Sequence, residues 1–200
     1  MTDHSAPELI LASTSPYRRR LLERLQLPFS CEPPKVEETP RNGEGPTALA
    51  LRLASEKARA VSRSFPTALV IGSDQVAALD GNCLGKPGTS TAACSQLRAC
   101  SGRSVQFHTA ISLARGGNEV DSACVDTQVC FRSLTDAEIA DYVEREQPLD
   151  CAGSFRWEAL GIALFTSLRS TDPTALEGLP LIETVNLLQI QGLNILNTVS

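Results

Sequence analysis

Apolar and polar positions along this chain follow two periods that take turns. Glu8 to Ser13 is an almost wholly apolar run of strand length. It gives way to Ser15-Pro16, a natural N-cap followed by a natural first helical residue, and then to a helix reaching about Gln26. A short strand around Phe29 to Glu32 leads into PPKVEETPRNGEG, a loop rich in Pro, Gly and Glu of the kind that flanks sites. Thr47 to Ser64 reads as a second helix, with Leu53, Ala54, Ala58 and Val61 on its apolar face. Ala68 to Gly72 reads as a strand ending at Ser73-Asp74, and Asp80-Gly81 as a hairpin turn.

Ser90 is the expected cap of a third helix that stops at Gly102. Ser104 to Ala114 and Val120 to Phe131 alternate as two long strands around Gly116-Gly117-Asn118. Thr135 with Glu138 forms a capping box for a fourth helix ending before Pro148. Short strands are expected near Ser154 to Phe155 and Ile162 to Phe165. A last helix is expected from about Pro180 to Gln191, stopped by Gly192. Helices and strands alternate at first, then a strand pair intrudes, which predicts an α/β fold with a mixed, twisted sheet flanked by helices. No repeat or linker divides residues 1–200, so one domain or two tightly joined lobes is expected.

Composition narrows the function. A net charge of −5 argues against general nucleic-acid binding, so any phosphate site must be a local basic pocket. The N-terminal MTDHSAPE carries no signal-peptide pattern, and no apolar run approaches membrane-spanning length. Seven cysteines, an odd number with no CxxC pair, read as reduced small hydrophobes in a cytoplasmic protein. Of the two histidines, His4 falls in an N-terminal tail and His108 in a strand, a poor supply for a catalytic triad.

The segment LILASTSPYRRRLL carries the strongest chemical signal. Ser13, Ser15 and Arg18 stand where a helix N-terminus offers unpaired N–H groups and a positive dipole end to a phosphate. A plain cap and an ordinary ion pair explain them equally well. Arg18 shares the buried face of its helix with Leu21 and Leu22, whereas Arg20 reads as a solvated charge. Lys57 falls on the inward side of the second helix, to snorkel or to serve a site. Asp74 follows an apolar strand directly and could accept a proton from water, hold a metal, or merely cap a turn. Lys86 in GKP offers a further cation, and Glu37 and Glu38 an acidic loop pair for a divalent ion; loop residues of both kinds are commonly just solvated. Cations suit a triphosphate and carboxylates suit a metal and a water, while the absence of a Walker loop argues against P-loop hydrolysis.

A run of matching segments then resembles the Maf family of nucleoside triphosphate pyrophosphatases, related in fold to inosine triphosphatase. The segments are Leu11 to Arg19, Val36-Glu37-Glu38, Ser55 to Ala58, Gly72 to Val76, Gly85-Lys86-Pro87, Ser101-Gly102 and Cys151 to Phe155. The resemblance implies two lobes with a central cleft and hydrolysis of a nucleoside triphosphate to monophosphate and pyrophosphate with Mg²⁺ or Mn²⁺. It implies Asp74 as proton acceptor, Ser13, Ser15, Arg18, Lys57 and Lys86 as substrate-binding residues, and Glu38 with Asp74 as the metal carboxylates. The family branch acting on dTTP and UTP usually has arginine where this chain has Tyr17, threonine at Gln75, glutamine at Glu158 and histidine where Val105 stands. With an aromatic, Gln and Glu at the first three places, this chain looks like the branch acting on 7-methyl-GTP.

Charge supports that branch. N7-methylguanine is cationic, so an arginine beside it would repel it, while a tyrosine face attracts it. Glu158 suits the guanine N1–H and amine, and Gln75 suits a further base edge. Trp157 is expected to pack rather than contact the base. The alternatives are dTTP, UTP or another modified nucleotide as substrate, or a nucleotide-binding cell-division regulator. The sequence leaves the oligomeric state open, a homodimer among the options; nucleic-acid and membrane partners are not expected.

Overall fold

Three strands longer than any single core organise the molecule. A computed structural model describes residues 7–196. In chain order the elements are β1 (Leu9–Leu11), α1 (Pro16–Glu23), β2 (Ser30–Cys31), α2 (Pro46–Ser62), β3 (Leu69–Leu79), β4 (Asn82–Leu84), α3 (Ser90–Cys100) and β5 (Ser104–Arg115). They continue with β6 (Asn118–Phe131), α4 (Asp136–Glu146), β7 (Phe165–Ser170) and α5 (Leu181–Ile190), with short 3-10 turns at Ala152–Ser154, Leu160–Leu164 and Ala175–Glu177. The seven strands form one open sheet in the order β2-β1-β3-β5-β6-β7, with β4 added to β3. β1 runs parallel to β2 and β3, and the other pairings are antiparallel. This is the mixed α/β sheet flanked by helices that the alternation predicts.

Period-two alternation sends successive side chains of β3 to opposite faces. Leu69 and Ile71 join Leu9, Leu11, Ile111 and Leu113 against α1 and α5. Val70 joins Ile10, Ala12, Ala58 and Val61 against α2. At the far end, Ala77 and Leu79 pack with Val105, Phe107, Val129 and Phe131 against α3 and α4. Between these two packing centres the apolar row is broken by Ser73 and Gln75 on β3 and Thr109 on β5, all buried or half-buried. Those polar positions floor the cleft between two lobes. In the second lobe Phe155 makes edge-on contacts with Phe107, Phe131 and Phe165 at centroid distances of 5.3, 5.6 and 4.8 Å, which pin the segment leading to Glu158.

The sheet edge has a notch. β1 pairs with β3 only from Leu69 to Ile71. β4 returns to the same edge only at Ala77 to Leu79, because β5 occupies the opposite edge. Between them, Gly72 to Val76 carry no strand on that side. The chain leaves β1 and leaves β4 at the two lips of this gap, so Ser13 and Lys86 both flank it.

Several expectations need correction. Asp74 does not stand at the end of a strand: β3 runs on to Leu79, and the opening at Asp74 exists because β1 stops short. Thr89, not Ser90, caps α3, since its hydroxyl accepts from the Ala92 N–H. Ser154 to Phe155 is not a strand: Ser154 ends a 3-10 turn with Gly153 at φ 77°, and Phe155 caps it. Ile162 likewise lies in a 3-10 turn, and the strand begins only at Phe165. These short apolar runs pack by shape and not by ladder pairing, which periodicity cannot distinguish. His4 lies outside the described residues.

All seven cysteines are free thiols; Cys100 is buried in the second lobe and Cys83 is exposed. Among the described residues no helix is long and apolar enough to cross a membrane.

Candidate active site

The loop after β1 is wound to present donors. Ser13 Oγ accepts from the Ser15 N–H at 3.1 Å, and Ser15 Oγ, as N-cap, accepts from the Arg18 N–H at 3.4 Å. Both hydroxyl oxygens thereby serve the backbone, while neither O–H donates to a described residue. Pro16 at the first helical position fixes φ for the turn. Arg18 Nε donates to Gly178 O at 2.8 Å, and Ser73 Oγ donates to the same carbonyl at 2.9 Å. One backbone oxygen therefore ties α1 to β3 beside Asp74. Burial pulls the Arg18 pKa down and the Asp74 and Glu38 carboxylates push it back up; an arginine stays charged throughout.

α2 supplies the lysine. Glycine at position 72 lets the helix lie directly on β3: a Cβ there would stand 2.2 Å from Ala54 O and 2.6 Å from Ala58 N. That close approach carries Lys57, 5% exposed, to 2.6 Å from Asp74 Oδ1. Glu38 reaches in from the acidic loop to place Oε1 at 2.6 Å from the same ammonium. Asp74 Oδ2 has no partner among the described residues and is not sealed from water, so it is free to accept a proton. Burial alone would raise the Glu38 pKa, but the Lys57 hydrogen bond and the charges of Lys57, Lys86 and Arg18 bring it below its usual value. Glu37, its neighbour, is exposed and bonds Thr39 instead.

Of the sequence-predicted metal carboxylates only Glu38 and Asp74 stand together, Glu37 pointing to Thr39, and no group of three or more metal-binding side chains stands together among the described residues. Two carboxylates, each with one oxygen not engaged by Lys57, fit a hard divalent ion that keeps waters and takes its other ligands from substrate phosphates.

Beside this trio opens a cavity of about 160 Å³. Its lining comes from Ser15, Tyr17 and Arg18 at the start of α1, Gln75 on β3, Lys86 after β4, Phe107 on β5, Cys151, Arg156, Trp157 and Glu158 between α4 and β7, and Glu177 and Gly178 before α5. The fold thus brings Ser15, Arg18, Lys86, Tyr17, Gln75 and Glu158 to one pocket. Ser13, Lys57, Glu38 and Asp74 lie adjacent to it. Gln75 Nε2 donates to Ala175 O at 2.9 Å, Leu176 O at 3.1 Å and Thr109 Oγ1 at 3.1 Å, leaving its carbonyl oxygen to accept from a ligand. Tyr17 is half-buried, and burial raises its pKa; the Arg20 guanidinium lies 5.2 Å from its ring centroid, so Arg20 is an exposed charge with a partner. Trp157 packs on the second lobe and also lines the pocket, more than the packing role expected of it. Val105 is fully buried in that lobe's core, away from the pocket.

Sequence reading missed three contributors. Gly178 O anchors Arg18 and Ser73. Asp150 holds Arg156 at 3.0 Å across the pocket wall. Glu177 faces the pocket from the turn before α5. That turn is rigid because Asp172 Oδ1 accepts from Thr174 N–H and hydroxyl, and Oδ2 from Ile182 N–H. The signal available was Gly178 itself, whose φ of 107° marks a turn, but a contact with Arg18 across 160 positions leaves no local trace.

Residues 8–191 match the family described as Maf-like protein. A 7-methyl-GTP pyrophosphatase of Xanthomonas oryzae pv. oryzae (strain MAFF 311018) is 58% identical over 190 residues, covering 94% of this chain and 99% of that protein. A protein of the same name from Polaromonas sp. is 55% identical over 194 residues, covering 96% and 88%. One from Bordetella avium is 53% identical over 197 residues, covering 98% and 100%. By a match that spans both lobes and every wall of the pocket, this chain belongs to the Maf family.

Proposed function

We propose that this chain is a pyrophosphatase that hydrolyses 7-methyl-GTP to 7-methyl-GMP and pyrophosphate. The observation that carries the reading is the charge pattern of the pocket. Arg18, Lys57 and Lys86 cluster in the field of Glu38, while Tyr17 lies in the field of Asp150 and Glu158, with Arg156 there paired to Asp150. A substrate with an anionic tail and a cationic base complements both parts. The names carried by the relatives point to the same substrate.

In this reading the triphosphate lies against Arg18, Lys86 and the start of α1, where cations and free N–H groups offset its charge. Asp74 Oδ2 accepts a proton from a water that attacks the α-phosphorus; the bond from that phosphorus to the bridging oxygen breaks, and pyrophosphate leaves with the electron pair. Lys57 orients Asp74 and neutralises the neighbouring Glu38. Glu38 and Asp74 would hold a Mg²⁺ or Mn²⁺ ion, which when bound supplies charge neutralisation at the phosphates. Tyr17 offers a ring face to the methylated base, Glu158 accepts its N–H groups, and the Gln75 carbonyl accepts at a further edge. A cytoplasmic setting suits the seven free thiols.

The test is a pyrophosphate-release screen of the pure protein over 7-methyl-GTP, GTP, dTTP and UTP. A highest kcat/KM on 7-methyl-GTP is expected. Faster turnover of dTTP or UTP would overturn the substrate, and no release from any nucleotide would overturn the enzyme reading.

A further inference from the structure

Three of the six charged side chains that line the pocket, Arg18, Asp150 and Arg156, are already bonded. Asp150 is neutralised by Arg156 at 3.0 Å. Arg18 is bonded to Gly178 O and, with Lys86, lies in the field of Glu38. Two carboxylates are left over. Glu158 and Glu177 both line the cavity, and neither forms a hydrogen bond or ion pair with any described residue. Glu177 is half-buried, a position that an isolated carboxylate occupies only at a cost.

Its placement is enforced by its neighbours. The carbonyl of Leu176 accepts from Gln75 and that of Gly178 from Ser73 and Arg18, so the backbone on either side is fixed to the cleft floor. The charged groups that act on Glu177 are Glu158, which lines the same cavity, Arg20 on α1 and Arg24 at its C-cap. Burial and Glu158 push its pKa up, and the two arginines draw it down by less.

We propose that Glu177 is a second acidic specificity residue, which together with Glu158 reads the permanent positive charge of the base. The inference rests on the substrate reading above. A cationic ring between the two carboxylates relieves their mutual repulsion; a neutral ring does not. GTP has the same N1–H and amino donors as 7-methyl-GTP but no ring charge, so the pair of substrates isolates this effect.

The experiment compares wild type, Glu177→Gln and Glu177→Asp on 7-methyl-GTP and GTP. Binding is followed separately through the fluorescence of Trp157, the only tryptophan, which lines the pocket. Glu177→Gln keeps size and acceptor capacity and removes charge. It should lower kcat/KM for 7-methyl-GTP by about 5- to 20-fold and leave GTP within about 2-fold, the scale of one partly screened charge pair. The loss should fall on KM and on the fluorescence-derived Kd. Glu177→Asp should restore most of the preference, and the Tm of unliganded Glu177→Gln should be equal to or above wild type. Equal losses on both substrates, a lowered Tm, or an unchanged preference would each overturn the assignment. A wild-type enzyme with no preference for 7-methyl-GTP sinks the substrate reading; a preference that survives in Glu177→Gln sinks only this one.

Discussion

Replacing Gly72 by alanine tests the central geometric idea, that α2 must touch the β3 backbone for Lys57 to reach Asp74. The added methyl would stand 2.2 Å from Ala54 O, 2.6 Å from Ala58 N and 2.9 Å from Ala58 Cβ. All three belong to α2 and two are backbone, so no side chain can swing aside. The helix must retreat by about 1 Å to restore ordinary contact distances. Overpacking of this kind costs about 1–3 kcal/mol. The catalytic effect is larger. Lys57 sits one residue from Ala58, and its 2.6 Å contacts to Asp74 and Glu38 lengthen with the helix. A misplacement of about 1 Å at a reacting constellation costs on the order of 10²-fold in rate. Urea unfolding and pyrophosphate release at saturating substrate give the two quantities separately. A Gly72→Ala protein that is destabilised yet turns over at the wild-type rate would refute the claim that helix contact sets the site. One neither destabilised nor slowed would refute the packing itself.

Further outcomes follow from individual residues. Asp74→Asn should lose about 10²- to 10⁴-fold in kcat, the usual worth of a general base, while Trp157 fluorescence still reports nucleotide binding. Near-normal turnover would remove Asp74 from the base role. Tyr17→Arg should penalise 7-methyl-GTP over GTP by roughly 2- to 30-fold, from a lost cation–π contact worth about 0.5–2 kcal/mol. Equal effects on the two substrates would count against stacking on a cation. For pH dependence, Arg52 hydrogen bonds at 2.6 and 2.8 Å pull the Glu44 carboxyl from 4.5 to about 2. The folded pKa lies below the unfolded one, so the stabilisation is complete above about pH 4.5 and disappears as the pH falls toward about 2. Glu44→Gln should flatten that part of the stability–pH curve, and an unchanged acid limb would show that the pair contributes nothing.

Much of the fold was legible because it rests on local rules. The alternation in β5 and β6, the Ser15-Pro16 start of α1 and the Thr135/Glu138 capping box are each written in a few adjacent residues, and each took the predicted form. The errors fell where local rules are silent. The segments at Ser154 and Ile162 have strand-like composition, but the Phe155 cluster holds them as 3-10 turns. Thr89 won the cap of α3 over Ser90 because the two are chemically equivalent one position apart.

For the site, sequence by itself picked out the candidates: the serines and Arg18 at a helix start, an inward lysine, an aspartate directly after an apolar run. Only the tertiary structure decided that they meet. The notch between β1 and β4 depends on where two strands stop pairing with a third. The pocket wall bearing Glu177 and Gly178 is brought to Arg18 across 160 residues. Periodicity and capping act over a few residues, along the chain; electrostatics and packing act over a few ångströms, across it. A carboxylate's partners, and therefore its role, belong to the second kind of distance.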